Sequence, residues 1–273
     1  MSEEVRRRLA AIDTKNPSLA RMHDYLVGGK DNFAVDREVA EAMLAVAPEI
    51  RDIVREHQAC RTRVVRFMVG EGIDQFIDIN TALPPCNHTQ QIARELNPAV
   101  RTAYVDRDPL VLTHARALLT TDPNVAVVAG DILHVDELLA DPGLRRLIDL
   151  DRPVGVLIQA VLQYIPDSEN PYKAVARLRD ALPPGSLVAI SHIVFDVRPE
   201  LAKPLSELYA KYFKRSPDIV RMRRDVERFF EGMELVAPGV VYAPEWRPES
   251  PFFAERPNKA WVAWGVGRVV EAA

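Results

Sequence analysis

Five short apolar runs, at residues 75–79, 102–105, 125–129, 154–158 and 187–193, recur along the chain with helical patterns between most of them. Strands joined through helices need crossover connections, so the spacing predicts an α/β fold on a mostly parallel sheet. The first three runs lead into acidic residues in order: Asp78, Asp106, and Asp131 of Gly130-Asp131-Ile132. In open α/β sheets, ligands lie outside the carboxyl ends of the strands, where side chains leaving a strand meet a crevice. Three acids at successive strand ends therefore point to a nucleotide-like cofactor.

The first 70 residues read as helical. Val35, Val39, Ala42, Met43 and Val46 fall on one helix stripe, Pro48 punctuates it, and a second helical stretch runs to about Met68. Asp108-Pro109 supplies an N-cap followed by proline at the first helical position, ahead of an apolar face of Val111, Leu112, Ala115, Leu118 and Leu119. Asn87 with Gln90 has the spacing of a capping box before Ile92, Ala93 and Leu96. Val175, Leu178 and Leu182 face one way on a helix ended by Pro183-Pro184-Gly185. Beyond a helical stretch near Met222, Val226, Phe229 and Phe230, the runs 233–236 and 260–266 flank a Pro-rich segment and predict a terminal antiparallel hairpin. With no repeat and no interior linker, the expectation is one domain over 1–273, in which 1–70 is a helical extension or lid on a 71–273 core.

Each candidate site residue has a plainer alternative. The stretch from Asp78 to Pro84 places a carboxylate and backbone N–H groups at the mouth of the sheet, or is an ordinary loop capped by its Asp. Asn80 and Ala82 stand where a glycine turn would bring backbone close to a ligand. Asp106 can accept both hydroxyls of a ribose, since Asp108 is better placed to cap the following helix. Asp131 and Ile132 suit an adenine amine and ring, although Gly-Asp also favours a turn. Gln159, Gln163 and Tyr164 leave the fourth strand towards the same space, or form a buried turn. Arg21, His23, Asp24, Tyr25, Lys30, Asp31 and Asn32 crowd around Gly28-Gly29, which by itself reads as a helix C-cap. His192, late in its strand, has the ordinary chemistry of a general base or of a satisfied structural histidine. The four arginines at 221, 223, 224 and 228 fit a solvated helix face.

Composition narrows the partners. A net charge of -4 and a pI near 5.9 give no general attraction to nucleic acid or to an anionic membrane. No run approaches the roughly 20 apolar residues of a bilayer span. The start, Met1-Ser2-Glu3-Glu4-Val5-Arg6-Arg7-Arg8, has no apolar stretch behind its basic residues. Two cysteines and scattered histidines supply neither a disulfide framework nor metal-ligand spacing. The expectation is a cytoplasmic protein acting on a small molecule, with no metal.

The ordered acidic strand ends, the 159–167 segment and the late hairpin resemble the class I S-adenosylmethionine-dependent methyltransferases. More narrowly, Pro17-Ser18-Leu19-Ala20-Arg21-Met22-His23-Asp24-Tyr25-Leu26-Val27-Gly28-Gly29-Lys30-Asp31-Asn32-Phe33 closely resembles the opening signature of a bacterial methyltransferase-like family formerly of unknown function. The likeness continues through Leu83-Pro84, Tyr104-Val105-Asp106, His114-Ala115-Arg116-Ala117-Leu118-Leu119, Arg177-Leu178-Arg179-Asp180-Ala181-Leu182 and Trp264-Gly265-Val266-Gly267-Arg268. It implies a Rossmann-like fold with a mostly parallel seven-stranded sheet, a C-terminal antiparallel hairpin and an N-terminal helical extension. It also implies S-adenosyl-L-methionine as cofactor. Asp78, Ile79, Asn80 and Thr81 would hold its methionine portion, Asp106 the ribose, Asp131 and Ile132 the adenine, with Arg107, Gln159 and Ala160 alongside. His23, Tyr25 and Lys30 would reach the methionine carboxylate and ammonium or close a lid, and His192 or Tyr25 would serve as base for a small-molecule acceptor. Family members carry glycine at the positions of Asn80 and Ala82. Two rival readings remain: a protein that binds the cofactor without turnover, and a nicotinamide-dependent oxidoreductase, for which the chain lacks the Gly-x-Gly-x-x-Gly turn.

Overall fold

The computed structural model describes residues 13–80, 83, 88–214, 220–249 and 260–271. Five strands form the parallel part of the sheet: β1 (Gln75–Ile79), β2 (Arg101–Asp106), β3 (Val125–Ala129), β4 (Gly155–Gln159) and β5 (Leu187–Ile193). Three more, β6 (Met233–Leu235), β7 (Val241–Tyr242) and β8 (Val262–Val269), complete a sheet of order β3-β2-β1-β4-β5-β8-β6, with β7 also paired to β8. The sequence predicts seven strands, and β7 is the eighth. It lies inside the Pro-rich segment and is two residues long, too short for alternation to mark it. The expected terminal antiparallel pair is added to the sheet: β8 runs antiparallel between β5 on one side and β6 and β7 on the other.

The strand order reverses between β1 and β4, which opens a crevice at their carboxyl ends. Period-two alternation sorts the side chains onto two faces. On one face Phe76, Leu157, Leu187, Ala189, Trp264 and Val266 share a core with helices α1 (Leu19–Leu26), α2 (Ala34–Val46) and α3 (Ile50–Gly70) and with α9 (Pro199–Phe213). On the other, Ile77, Ile79, Val105, Val156, Ile158, Val188 and Ile190 pack against α6 (Val135–Ala140), α7 (Pro142–Leu147), α8 (Pro171–Asp180) and α10 (Arg223–Glu227). The N-terminal helices thus share one apolar core with the sheet.

Local signals explain most helix starts. Asp108 caps α5 (Pro109–Leu119) by accepting from Leu110 N–H at 2.8 Å, ahead of proline at the first position. Asn87 lies outside the described residues; the bond at the start of α4 (Thr89–Arg94) is made one residue on, from His88 N–H to Gln91 Oε1 at 3.2 Å. Gln90 instead bridges Val100 and Thr102 in the interior. Leu96 and Leu118, counted on apolar faces in the sequence, are exposed, because α4 ends at Arg94 and Leu118 falls in the last turn of α5.

The polar crowd at 17–33 is largely the internal scaffold of this helical face. Arg21 and Asp36 form a buried ion pair at 2.7 Å, and Asp36 also accepts from the backbone of Ser18 and Phe33. Asp24 accepts from Asp31 N–H and Asn32 Nδ2, both at 2.8 Å, which folds the loop after α1 back on the helix. Gly28 sits at φ 85°, and a Cβ on Gly29 would lie 1.9 Å from Asp24 Oδ1. Both glycines are needed, one for its backbone angle and one for the carboxylate beside it. Gly29→Ala is accordingly expected to destabilise by about 1–3 kcal/mol, seen as a lower urea midpoint at unchanged slope. A midpoint equal to that of the parent chain would contradict this packing.

Candidate functional site

The carboxyl ends of β1, β2 and β4 meet where the strand order reverses. Asp78 leaves β1 on the α3 side, 1% exposed, and accepts from Gln159 Nε2 at 2.5 Å and Thr89 Oγ at 2.6 Å. Burial pushes its pKa up, opposed by these two bonds and by the Arg61 charge. Asp78 therefore braces β1, β4 and α4 from behind. Asn80 follows at φ 66°, where a side chain is normally penalised and Asn is among the residues that tolerate it. Its Nδ2 donates to the Gln159 carbonyl at 2.8 Å, tying the two strand ends together. Asn80→Gly is expected to keep most of the stability and Asn80→Val to lose about 2 kcal/mol, by chemical denaturation. Equal losses would remove the backbone-angle explanation.

At the end of β2, Asp106 Oδ1 accepts from Asp108 N–H at 2.8 Å while buried Oδ2 has no hydrogen-bond partner. Burial pushes this carboxyl up to about 7. Beside it, Ser18 Oγ donates to Asp108 Oδ2 at 2.5 Å, anchoring the N-terminal segment to this strand end. Asn80, Asp106, Arg107, Asp108 and Ser18 form the polar side of a mixed cleft of about 410 Å³, the size range of small-ligand sites.

A second, mostly apolar cavity of about 180 Å³ lies under α1, α3 and α9. Leu19, Tyr164 and Tyr209 line both spaces, and the two tyrosine rings stack at 4.9 Å. The cleft and the cavity therefore adjoin across one aromatic wall. The cavity also holds His23 and His57. Burial, with the Arg61 charge added to it, lowers His23 to about 4 and His57 well below its ordinary value. His57 Nε2 lies 2.8 Å from Ser191 Oγ, which in turn accepts from Ala160 N–H at 2.9 Å.

Of the residues expected from the sequence, Asn80, Asp106 and Arg107 meet in the cleft, and His23 and Ala160 line the apolar cavity instead. Gln159 stands behind with Asp78, and Ile79 points into the opposite core. Thr81 and Ala82 lie outside the described residues. Asp131 does not line the cleft: its carboxylate caps the next turn at Leu133 N–H and pairs with Arg107 at 3.0 Å, and Ile132 is buried in the core below. Tyr25 turns away to Glu41 and Arg51, and Lys30 is exposed outside both spaces.

His192 does not join the site either. Strand parity sends it to the face opposite Ser191 and Ile193, fully buried between the Ile193 carbonyl and Arg221, with burial and that charge lowering it to about 3. Arg221, expected on a solvated helix face, is 4% exposed and fans onto the carbonyls of Leu162 and Ile165 and onto Asp167. It clamps the segment after β4. Ser18, His57, Arg61, Ser191 and Tyr209 are the participants that sequence reasoning missed. A charged residue on the apolar stripe of α3, where Arg61 shares a face with Val54, Val65 and Met68, was the available signal.

The second strand end thus holds an unpartnered carboxylate oxygen beside a cleft at the sheet's switch point. The sequence profile described as S-adenosyl methyltransferase matches residues 5–270. The chain belongs to this family. S-adenosyl methyltransferases use S-adenosyl-L-methionine, which is therefore its cofactor. A crystal structure of a DUF574 family protein from Streptomyces avermitilis is 34% identical, covering 94% of this chain and 99% of that one with a TM-score of 0.88. A candidate methyltransferase from Thermobifida fusca is 36% identical, covering 95% and 97% with a TM-score of 0.89. Among curated proteins, the ribosomal RNA small subunit methyltransferase H of Halorhodospira halophila is 32% identical over 93 residues, 34% of this chain and 27% of that protein. The chain thus spans about a quarter of the curated relative it matches. Among the described residues, no helix of this S-adenosyl methyltransferase is long and apolar enough to cross a membrane.

Proposed function

We propose that this chain transfers the methyl group of S-adenosyl-L-methionine, held in the mixed cleft, to a small acceptor held in the adjoining apolar cavity. The observation that carries this reading is the shared wall of Leu19, Tyr164 and Tyr209, which places a cleft of mixed lining, with Asp106 and Arg107 in it, directly beside a mostly apolar cavity. Asp106 Oδ2, buried and without a hydrogen-bond partner, would accept from the ribose hydroxyls. The left-handed backbone at Asn80 does what a glycine would do there, so the strand end passes close beneath the methionine portion. Asp78 and Gln159 hold that strand end rigid without touching the ligand. Asp131 supports the adenine end through Arg107 rather than by its own contact.

When bound, the sulfonium supplies an electrophilic methyl carbon: an acceptor lone pair forms the new bond, the S–C bond breaks, and its electron pair stays on sulfur as a neutral thioether. The acceptor's proton leaves to a neighbouring base or to water. The chain's own contribution is alignment of the two sites and exclusion of water, a class of effect that supplies on the order of 7–11 kcal/mol when geometry is good. Calorimetric titration with S-adenosylhomocysteine and with NAD tests the reading. Micromolar binding of the former alone supports it, and binding of NAD alone rejects it. Turnover is then read as methyl transfer from labelled S-adenosylmethionine across an acceptor panel.

A further inference from the structure

Resting on that reading, we propose that the acceptor is an uncharged molecule built on a single aromatic ring and bearing a hydroxyl or N–H, seated in the apolar cavity with its polar group hydrogen-bonded to the His23 and His57 imidazoles. Size comes first. An apolar cavity of about 150 Å³ accommodates benzene, so this one, at about 180 Å³, has room for one ring with a small substituent. Charge comes second. Among the described residues that line it there is no Asp, Glu, Lys or Arg, and Arg61, whose charge reaches both histidines, stands outside the lining, so a charged ligand would shed its water with no counter-charge in contact. The wall chemistry favours a ring: Tyr164, Tyr209, Phe195 and Trp261 offer edges and faces, and Met22 and Met43 offer polarisable sulfur.

The two imidazoles supply the polar end. His23 Nδ1 is buried with no hydrogen-bond partner, an unmet need beside the cavity that the residue lines. His57 is oriented through Nε2 by Ser191, itself fixed by Ala160 N–H, and its ring leans on Trp264 at 5.1 Å. Both rings stay neutral at neutral pH, so each carries one N–H and one lone pair, and a ligand hydroxyl can donate to one ring while accepting from the other.

The test uses the full chain with and without saturating S-adenosylhomocysteine, and phenol, toluene, benzoate and 4-phenylphenol as probes in calorimetry or ligand-detected NMR at pH 7.5. Phenol is expected to bind at least tenfold more tightly than toluene or benzoate, and more tightly than 4-phenylphenol. His23→Phe together with His57→Phe keeps the volume and removes the nitrogens, so it should bring phenol down to the toluene value. Leu205→Trp should fill the cavity and abolish binding of both while leaving S-adenosylhomocysteine affinity unchanged, which also reports that it folds. Benzoate binding as tightly as phenol, a phenol preference that survives the double substitution, or no phenol binding by a chain that binds S-adenosylhomocysteine would overturn the proposal. Phenol binding without any S-adenosylhomocysteine binding would instead overturn the methyl-transfer reading and leave the cavity's specificity standing.

Discussion

Replacing Asp106 by Asn is expected to raise the stability of the ligand-free protein and to weaken cofactor binding at the same time. Burial lifts this carboxyl from 3.8 to about 7. A group whose folded-state pKa is raised contributes stability that is present below the unfolded value and lost as pH climbs through the folded one. Between about pH 4 and 7 the ligand-free chain therefore gives up on the order of 4 kcal/mol at this position, the upper bound for a shift of roughly three units. Asn carries no charge to desolvate and keeps an acceptor for Asp108 N–H, so the variant should melt higher at pH 8 and no higher at pH 4. Binding moves the other way. A ribose diol donates to the ionised carboxylate, and losing a charged acceptor costs about 1.5–3 kcal/mol, or 10- to 150-fold in affinity. In the parent chain, S-adenosylhomocysteine affinity should also fall towards tenfold per pH unit below 7, a slope absent from the variant. Melting curves and titrations at pH 5, 6, 7 and 8 read both effects, and a variant that melts lower at pH 8 would refute the account.

The other large effect belongs to Asp78→Ala. This carboxylate receives Gln159 Nε2 and Thr89 Oγ in the interior, and truncation strands both donors where water does not reach. Each orphaned group costs about 1–3 kcal/mol, so a total of roughly 3–5 kcal/mol is expected. The melting temperature should fall by on the order of 10 °C. Because Gln159 also accepts from Asn80, its loosening should propagate to the cleft and weaken cofactor binding without any lost contact to the cofactor. Asp78→Asn keeps an acceptor for Gln159 and should cost at most half as much. Its relative standing should improve with pH, since burial raises the native carboxyl and the stability tied to such a group fades as pH rises. An Asp78→Ala chain within 1 kcal/mol of the parent would show that the bracing is not what holds this strand end.

What could be read from residues alone follows from the range of the interactions involved. The helix start at Asp108-Pro109, the acidic ends of β1 and β2 and the strand–helix alternation are local, written within a few residues of one another. The family signature likewise identified the cofactor, yet not what its polar residues do, since Asp24, Arg21 and Asp36 are spent on each other and on the loop. Parity was legible and unused. Ser191 and Ile193 share the face of Leu187 and Ala189, which put Ser191 rather than His192 beside α3. Asp131 was placed correctly at a strand end, but its own turn and Arg107 claim its carboxylate, a competition no strand pattern reveals. The aromatic wall was out of reach, because Tyr164 and Tyr209 come from elements 45 residues apart and meet only through tertiary packing. The insertion of β8 beside β5 was hidden for the same reason, with Leu187 opposite Arg268.

That insertion has a consequence for biosynthesis. A ribosome delivers β1 through β5 well before Val262–Val269, so the nascent sheet waits with the long apolar margin of β5 uncovered. Neither β6 nor β7 can seal it, since each pairs with β8 and not with β5. The β5 edge is therefore open to edge-to-edge association during translation until β8 arrives, and a chaperone or slow local decoding at that stage would act on one identifiable surface.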